Sequence, residues 1–331
     1  MDESRALRSL LRRFAGVRVL VIGDLMLDRF VWGDVSRISP EAPVPIVRVR
    51  REEARPGGAG NVVGNVQALG GRATACGLVG HDAAGQALAA GLRAAGGALA
   101  GVVTSTTTAT TAKTRVIAHG QQVVRFDHDP PVRELSPRSL RRLTIWVREH
   151  VRRFAVVVVS DYGKGVVTPD LLEELARLRA RHGFAYVIDP KRPNFPHYRG
   201  ATLVKPNLAE ASDAAGIEIV DRPSLDAAGR RLLERWQADA VLISRGEEGM
   251  SLLRPRARPR HFPTAAHQVY DVTGAGDTVL AACALALGAG GTLEEAATLA
   301  NVAAGIVVGK VGTATASARE ITHALAAAER L

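Results

Sequence analysis

Short apolar runs that end in a polar residue recur along the chain and predict buried strands. The first three occupy residues 17–22, 155–159 and 185–188, and two more lead up to residues 205 and 244. The polar residues at or just beyond their ends are Asp24, Asp161, Asp189, Lys205 and Ser244. Stretches with the spacing of amphipathic helices lie between the runs, at residues 140–151, 169–181 and 225–236. This alternation predicts an α/β fold with a doubly wound, mostly parallel sheet, which binds ligands beyond the carboxyl ends of its strands.

Two segments interrupt this alternation and predict β-ribbons outside the main sheet. Residues 30–50 carry three prolines and alternating apolar positions, and residues 104–127 are rich in threonine before they alternate about a turn at His119 and Gly120. If the ribbons pair, they form a small β-flap, or lid, over the strand ends of a single domain that spans residues 1–331. Apolar ribbon residues could join two flaps in a homodimer or pack within one flap; these are Val31, Trp32, Val44 and Ile46.

The composition indicates a cytoplasmic protein with a sizeable core and an anionic partner. Of 331 residues, 47% are hydrophobic, and the formal net charge is +10. Proteins that bind single-stranded nucleic acid interleave aromatic residues with their arginines, and this chain does not. We therefore expect a small anionic metabolite and no nucleic-acid partner. The alternative is nucleic-acid binding through the net charge. Cys76 and Cys283 lie among small apolar residues, which is typical of reduced core cysteines. No apolar run reaches about 18 residues, so we expect no membrane span and no membrane partner.

The stretch DVTGAGDT, residues 271–278, places a Gly-Ala-Gly turn between two aspartates, ahead of a predicted helix over residues 275–287. The backbone N–H groups of Gly274, Ala275 and Gly276 can converge there, and the helix N-terminus adds positive potential, so the turn predicts an anion hole for a phosphoryl group. Asp277 would repel a phosphate if binding were its only task, and it therefore fits a general base. The alternative is an ordinary carboxylate that stabilises the helix dipole.

Other nucleotide-binding motifs are missing from the sequence. It contains no GxxxxGK[ST] loop and none of the protein-kinase signatures. The stretch GGAGNVVG, residues 57–64, imitates a dinucleotide fingerprint, but the charged RREEARP precedes it where that fold requires a buried strand. We therefore exclude a dehydrogenase and expect a helix over residues 59–69 whose N-terminus faces a ligand.

Four stretches, taken in order, resemble the ribokinase-like (PfkB) sugar kinases across essentially the whole chain. They are GGAGNVVGNVQALGG (57–71), KPNLAE (205–210), SRGEEGM (244–250) and DVTGAGDTVLAACALAL (271–287). The resemblance implies a ribokinase-like fold, ATP and Mg²⁺ as cofactors, and phosphoryl transfer to a carbohydrate alcohol group.

Four further stretches resemble one branch of that family, the kinases of D-glycero-β-D-manno-heptose 7-phosphate. They are GDLMLDRFVWGDVSRISPEAPVPIVRV (23–49), SDYGKG (160–165), IDPK (188–191) and AGIVVGKVGTATAS (304–317). This resemblance implies phosphorylation at C1 to the 1,7-bisphosphate in ADP-heptose biosynthesis, which serves the lipopolysaccharide core. The alternatives are a kinase of ribose, fructose or fructose phosphate, or a catalytically silent nucleotide-binding regulator. Ribokinase has a lysine in the corresponding stretch, whereas GGAGN has none. This difference argues against ribose as the substrate.

The family resemblance also implies roles on the nucleotide side. Asp277 matches the catalytic base, and Gly274, Ala275 and Gly276 match the anion hole. Asn207 and Glu210 match the pair that organises Mg²⁺ and the ATP phosphates, with Glu210 acting through water. The nucleotide loop comprises Ser244, Arg245, Gly246 and Gly249. Lys191 and Lys205 could contact phosphates from the strand ends, or they could be ordinary surface lysines.

On the sugar side, Asp24 and Asn61 match ligands of sugar hydroxyls, which a carboxylate and a carboxamide suit. The other sugar-side candidates are Asp28, Gly58 and Gln122. Three ribbon arginines are candidates for the substrate phosphate, because guanidinium groups bind phosphate in a forked geometry: Arg37, Arg115 and Arg125. Oxygen atoms of Asp271, Thr273 and residues 311–315 could hold a monovalent cation such as K⁺.

Overall fold

The computed structural model describes residues 3–266, 268–310, 312 and 314–328. The strands are β1 (Arg18–Gly23), β2 (Leu25–Ile38), β3 (Pro45–Gly58), β4 (Arg72–Gly80), β5 (Ala98–Ser105), β6 (Thr111–Ala118), β7 (Gln121–His128), β8 (Val156–Ser160), β9 (Ala185–Asp189), β10 (Leu203–Val204), β11 (Val241–Ser244), β12 (Met250–Leu253) and β13 (Arg260–Phe262). The α-helices are α1 (Glu3–Arg12), α2 (Ala59–Ala68), α3 (Ala83–Ala94), α4 (Pro137–His150), α5 (Pro169–His182), α6 (Leu208–Ala215), α7 (Arg222–Trp236), α8 (Ala275–Gly288), α9 (Leu293–Val308) and α10 (Ala318–Ala328). Short 3₁₀ turns occupy Arg13–Gly16, Val132–Glu134, Val151–Arg153, Arg192–Asn194 and Gly246–Glu248.

A nine-stranded sheet forms the centre of the fold, in the order β13-β12-β11-β10-β9-β8-β1-β4-β5. The seven strands from β11 to β5 run parallel, and β12 and β13 add an antiparallel edge. Every residue of β8 is buried, as expected for a parallel strand that is covered on both faces. This arrangement confirms the predicted doubly wound α/β sheet.

Helices cover both faces of the main sheet. Val19 and Val21 of β1 belong to an apolar cluster with α1, α2, α8 and α9, whereas Leu20 and Ile22 belong to a second cluster with α4, α5 and α7. Because successive strand residues point to opposite faces, these clusters are the two halves of the core. Residues 277–286 of α8 are all buried, so the turn that starts this helix is held against the sheet from within the core.

Two predicted helices begin one turn earlier than expected, because their capping residues precede the apolar periodicity. Ser136 accepts a hydrogen bond from the backbone N–H of Ser139 and thereby caps α4, which starts at Pro137. Asp221 does the same for α7 through the N–H of Ser224.

The two ribbons pair into a second, four-stranded sheet in the order β3-β2-β6-β7, called the flap below. Its bounds differ from the expected ones in two respects. The first ribbon covers residues 25–58, because the β2–β3 pairing continues down to Leu25 and Gly58 at the start of α2. Residues 104 and 105 belong instead to β5, the edge strand of the main sheet, and the second hairpin starts only at Thr111.

Within the described ranges, no helix is both long and apolar enough to cross a lipid bilayer.

Candidate active site

A cavity of about 920 Å³ opens beyond the carboxyl ends of β8, β9, β10 and β11. All twelve residues that the sequence assigns to catalysis or to the nucleotide line it: Lys191, Lys205, Asn207, Glu210, Ser244, Arg245, Gly246, Gly249, Gly274, Ala275, Gly276 and Asp277. This volume lies within the range of small-molecule sites. The structure therefore brings the predicted nucleotide side together in one place.

The glycine turn starts α8 in the way its sequence requires. Gly274 is the N-cap and has a φ of 81°, a left-handed conformation that favours glycine. The first N–H groups of a helix have no partner within the helix, so α8 presents donors to the cavity. The Ala275 N–H donates to the Val272 carbonyl oxygen at 3.2 Å, so the turn itself engages that donor.

The Asp277 carboxylate is buried and held by two side chains. Asn61 Nδ2 donates to Oδ2 at 2.7 Å, and the Tyr162 hydroxyl donates to Oδ1 at 2.9 Å. Burial raises the pKa of Asp277 to about 6; the Asn61 hydrogen bond lowers it, the neighbouring Asp189 raises it, and Tyr162 and Lys205 lower it. Asp277 is therefore mostly ionised at neutral pH, with a basicity suited to accepting a proton.

A buried lysine lies beside the same turn. Lys205 Nζ forms an ion pair with Asp189 Oδ1 at 2.9 Å, and a Cβ atom built on Gly276 would lie 3.6 Å from that nitrogen. Burial disfavours the charge of Lys205, but Asp189, Glu210 and Asp277 outweigh this effect and raise the pKa of the ammonium group. A fixed positive charge thus lies next to the predicted anion hole.

Glu210 and Asn207 form the cap of α6. Asn207 Oδ1 accepts from the Glu210 N–H at 2.8 Å, and Glu210 Oε2 accepts from the Asn207 N–H at 3.1 Å, which is a reciprocal capping box. Lys191 Nζ lies 2.8 Å from the other oxygen of Glu210. No group of three or more metal-ligating side chains occurs in the part of the chain that the structure describes. A single fixed carboxylate fits Mg²⁺, which keeps several waters and binds protein through one or two carboxylates plus phosphates.

The nucleotide loop follows β11. Ser244 pairs with Asn207 in an isolated parallel bridge, so this loop and the start of α6 lie side by side. The guanidinium group of Arg245 is buried and bonds to Glu248 Oε2 at 2.5 Å. Gly249 has a φ of 87°, and a Cβ atom there would lie 2.1 Å from the Phe262 carbonyl oxygen, so only glycine fits this backbone.

Asp24 has a different environment from the one expected of a sugar ligand. Its carboxylate accepts three backbone N–H groups, from Tyr162 at 2.8 Å, Lys164 at 3.0 Å and Val166 at 3.1 Å. Burial, followed by the nearby Asp161, raises the pKa of Asp24 to about 6, although these hydrogen bonds lower it. Because most of its acceptor sites are occupied, Asp24 holds the loop 161–166 and has little capacity for two sugar hydroxyls.

Asp28 and Arg115, two of the sugar-side candidates, form an ion pair on the flap. Arg115 Nη1 donates to Asp28 Oδ1 at 2.7 Å, and both side chains are mostly buried. A Cβ atom on Gly57 would lie 2.2 Å from Asp28 Oδ2, so this carboxylate is next to the glycine stretch before α2. Gly58 is the N-cap of that helix, and Asn61 in its first turn reaches Asp277. Of the sugar-side candidates, Asn61 contacts Asp277 directly, whereas Asp28 and Arg115 lie on the flap beside the glycine stretch that starts α2.

Three other flap candidates lie farther out. Arg125 is opposite Arg115 in the β6–β7 register and pairs with Asp127 at 3.0 Å, so it extends the same face. Gln122 is exposed next to the β6–β7 turn. Arg37 is exposed opposite Ile46, nine residues beyond Asp28 along β2, which is roughly 30 Å in a strand. Gln122 and Arg37 do not line the cavity, and their assignment to the substrate stays a prediction.

The predicted cation ligands form a turn in front of α8. Asp271 accepts hydrogen bonds from the N–H groups of Thr273 at 2.8 Å and Gly312 at 3.1 Å. Partial burial raises the pKa of Asp271, but these bonds outweigh it and keep the pKa below its ordinary value. Val311 and Thr313, which belong to the same predicted cation site, lie outside the described residues.

The sequence places Asp189 at the ligand-binding edge of the sheet but gives neither Asp189 nor Tyr162 a role in the site. Tyr162 follows β8 within the SDYGKG stretch and Asp189 ends β9, but the local sequence does not mark either residue as a partner of Asp277 or Lys205. Tyr162 and Asp277 are 115 positions apart, so only the folded chain shows their contact.

The chain matches a known family and known structures. The profile of the pfkB family carbohydrate kinase matches residues 17–320. The chain is 47% identical over 323 residues to the protein named Bifunctional protein HldE of Geobacter sulfurreducens, covering 98% of this chain and 66% of that protein. It thus spans about two thirds of the length of the curated relatives it matches.

Two solved structures share the fold. The ribokinase of Arabidopsis thaliana complexed with ribose and ATP has a TM-score of 0.74 and 20% identity, covering 93% of this chain and 98% of that one. The phosphofructokinase-2 of Escherichia coli in complex with potassium has a TM-score of 0.78 and 23% identity, covering 95% and 99%. The profile and the identity to the curated relative, which spans nearly the whole chain, show that the chain belongs to the pfkB family of carbohydrate kinases.

Proposed function

We propose that this chain is an ATP-dependent kinase that phosphorylates D-glycero-β-D-manno-heptose 7-phosphate at C1, giving the 1,7-bisphosphate for ADP-heptose biosynthesis. The observation that carries the proposal is the meeting of Asp277, the α8 turn and Lys205 in one cavity. Tyr162 lines that cavity, and burial raises the pKa of its phenol; Asp28, the partner of Arg115, lies near enough to add to this rise. The 47% identity to a Bifunctional protein HldE supports the choice of this branch of the family.

In the proposed mechanism, the ATP phosphates lie along the strand ends against the α8 turn. Mg²⁺, when bound, neutralises charge on the β- and γ-phosphates, and Glu210 is the residue that would hold it through water. Lys205 and the helix N–H groups stabilise the charge on the transferring group. Asp277 accepts the proton of the C1 hydroxyl, whose oxygen bonds to the γ-phosphorus in line as the bond to ADP breaks. The flap excludes water from the reaction.

The 7-phosphate would be held by Arg115. This arginine lies on the flap face that carries Asp28, its side chain is 17% exposed, and the Asp28 carboxylate fixes its position. A fixed guanidinium group binds phosphate with little ordering cost. Arg125, on the neighbouring strand, extends the positive surface outward.

Replacing Arg115 with glutamine is expected to raise the KM for heptose 7-phosphate by roughly 10- to 100-fold, with the KM for ATP within about 2-fold. The reason is the loss of a charge-assisted hydrogen bond, whereas the glutamine amide still satisfies Asp28. Steady-state kinetics with each substrate varied in turn measure both constants. Arg37→Gln, a change of the same chemistry at the flap tip, is the matched control and should leave both constants unchanged. The assignment of Arg115 is rejected if the KM for heptose 7-phosphate rises equally in both variants or rises in neither.

A substrate panel tests the proposed reaction. The chain should transfer phosphate from ATP to heptose 7-phosphate, and phosphorus NMR should place the new phosphate on C1. The comparison substrates are ribose, fructose and fructose 6-phosphate. Faster turnover of any of these would indicate another kinase of the family, and ATP binding without turnover of any sugar would indicate a silent regulator.

We also propose K⁺ at the turn of Asp271 and Thr273, a homodimer through the flap, and a cytoplasmic location. A solved phosphofructokinase-2 holds potassium, and ATP turnover measured with and without KCl tests the K⁺ site.

The homodimer would cover exposed parts of the flap. Strand β7 is exposed along its whole length, and Val44 is exposed at the flap tip. Sedimentation measures whether two chains associate.

The cysteines support the cytoplasmic location. Both are buried and free, which fits a reducing compartment. Recovery of the protein in periplasmic rather than cytoplasmic fractions would contradict the location.

A further inference from the structure

We infer that Tyr162 is a positioning residue for the base: its hydroxyl orients the Asp277 carboxylate and favours the ionised form that accepts the sugar proton. The inference rests on the proposed kinase function and deepens it. Tyr162 lines the same cavity, and its hydroxyl donates to Oδ1 of Asp277 at 2.9 Å. The proposed role depends on this contact with Asp277.

The loop that carries Tyr162 is fixed from two sides. The Asp24 carboxylate accepts the N–H groups of Tyr162, Lys164 and Val166, which join the loop to the end of β1. Next to it, the buried Asp161 carboxylate accepts from Tyr198 Oη at 2.6 Å, from Asn194 Nδ2 at 2.7 Å and from the Gly163 N–H at 2.7 Å. Because the backbone on both sides of Tyr162 is tied to buried carboxylates, its ring has little freedom to leave Asp277.

The two donors on Asp277 together fix the plane of the carboxylate. Asn61 Nδ2 donates to Asp277 Oδ2 at 2.7 Å, and the backbone carbonyl oxygen of Asn61 accepts from Asn65 Nδ2 at 2.9 Å. Asn65 Oδ1 accepts from the Thr278 hydroxyl at 2.7 Å, which ties α2 to α8 beside the base. Each carboxylate oxygen keeps a further acceptor site, so a fixed carboxylate can still take a proton from a hydroxyl.

The charges around Asp277 decide in which direction Tyr162 acts. The groups that face the carboxylate are Asn61 on α2, Tyr162 after β8, Asp189 at the end of β9 and Lys205 after β10. Burial, followed by the carboxylates of Asp277 and Asp189, raises the pKa of Tyr162 well above its ordinary value. The phenol therefore stays protonated and can only donate to Asp277. A donor to a carboxylate favours its ionised form, so loss of the hydroxyl should raise the pKa of Asp277.

The test is Tyr162→Phe, which removes the hydroxyl and keeps the ring. We expect kcat to fall by roughly 10- to 100-fold, with the KM values for ATP and sugar within about 3-fold. The acid limb of the kcat/KM profile should move up by about one pH unit, because the ionised base is less stable without its donor. In an Asp277→Asn background the same change should lower kcat by less than about 3-fold, since a residue that acts through the base has nothing left to orient.

Tyr186→Phe is the matched control. Tyr186 is a fully buried tyrosine near the amino end of β9, away from the cavity, and its hydroxyl has no hydrogen-bond partner among the described residues. This variant should keep the wild-type kcat and pH profile. The inference would be overturned if Tyr162→Phe lowered kcat without moving the acid limb and also lowered kcat by the same factor in the Asp277→Asn background. Unchanged kinetics in Tyr162→Phe would overturn it as well.

A measurement on the ligand-free protein separates this inference from the proposed function. Carbon NMR of the aspartate carboxyl groups gives the pKa of Asp277 without any substrate. If Tyr162→Phe raises that pKa by about one unit, the contact is confirmed even where the wild type fails to phosphorylate heptose 7-phosphate. An unshifted pKa rejects the inference, whichever sugar the wild type accepts.

Discussion

Asp277→Asn should lower kcat by roughly 10²- to 10⁴-fold while ATP still binds, because a positioned general base contributes about that much. Asparagine has the shape of aspartate and can still accept the Tyr162 hydrogen bond, but its amide cannot take the proton of a sugar hydroxyl. Turnover in a coupled assay and ATP affinity by calorimetry measure the two quantities. Retained affinity together with near-normal turnover would remove Asp277 from the role of base.

The pH dependence of the wild type should report the same group. Burial raises the pKa of Asp277 to about 6, and only the ionised carboxylate can act as base, so kcat/KM should fall below about pH 6. The pKa of Asp24, which holds the loop of Tyr162, is also raised to about 6. Because protonation of either carboxylate should lower activity, a plot of log kcat/KM against pH should have a slope between one and two on its acid side. In Asp277→Asn the acid side of the pH profile should become less steep, because the ionisation of Asp277 no longer contributes to it.

Asp170→Asn is the control for the simpler explanation of Asp277. Asp170 lies in the first turn of α5 and is exposed there, away from the cavity, so it is an ordinary helix N-terminal carboxylate. Its replacement should leave kcat unchanged. If both variants changed turnover equally, the effect of Asp277 would reflect helix stability and not proton transfer.

Lys205→Met is expected to lower the free energy of unfolding by roughly 3–5 kcal/mol, because it leaves Asp189 as a buried carboxylate without its partner. Adding Asp189→Asn should recover most of that stability, since the second change removes the unpaired charge. Turnover should stay at least about 10²-fold below wild type in the double variant, because the charge beside the α8 turn remains absent. Denaturant unfolding and steady-state kinetics measure the two effects separately.

Lys310→Met is the control for stability, because Lys310 and Glu320 form an ion pair that is about a third exposed. Its replacement should change the free energy of unfolding by less than about 1 kcal/mol. A double variant of Lys205 and Asp189 with near-normal turnover would contradict the phosphate role of Lys205. A stable Lys205→Met single variant would contradict the importance of the buried pair.

The central fold could be predicted because its signals are local. Strands β1 and β8 are continuous apolar runs, as burial on both faces requires, and DVTGAGDT encodes both the turn and the helix it starts. The sequence does not predict strand β5, because ALAGVVTS forms a sheet edge and carries small and polar residues. The expected bounds of the first ribbon are short by several residues at each end, because its strands continue through charged sequence such as RREEARP. The expected start of the second ribbon is too early, because residues 104 and 105 belong to β5.

The sugar side could not be predicted residue by residue, because it depends on strand register and on distant partners. Arg37 and Arg115 have the same chemistry, and only the β2–β6 register places Arg115 beside the site and Arg37 near the flap tip. Asp24 follows β1 as expected, but whether it binds sugar or backbone depends on the loop after β8, more than 130 positions later. Local sequence carries no information on either point.

The most direct test is a structure of the protein with heptose 7-phosphate and a non-hydrolysable ATP analogue. The account predicts that an Asp277 carboxylate oxygen lies about 2.6–3.2 Å from the C1 hydroxyl, with that oxygen in line with the γ-phosphorus. A structure in which the closed site leaves Asp277 outside hydrogen-bonding distance of every sugar hydroxyl would contradict it.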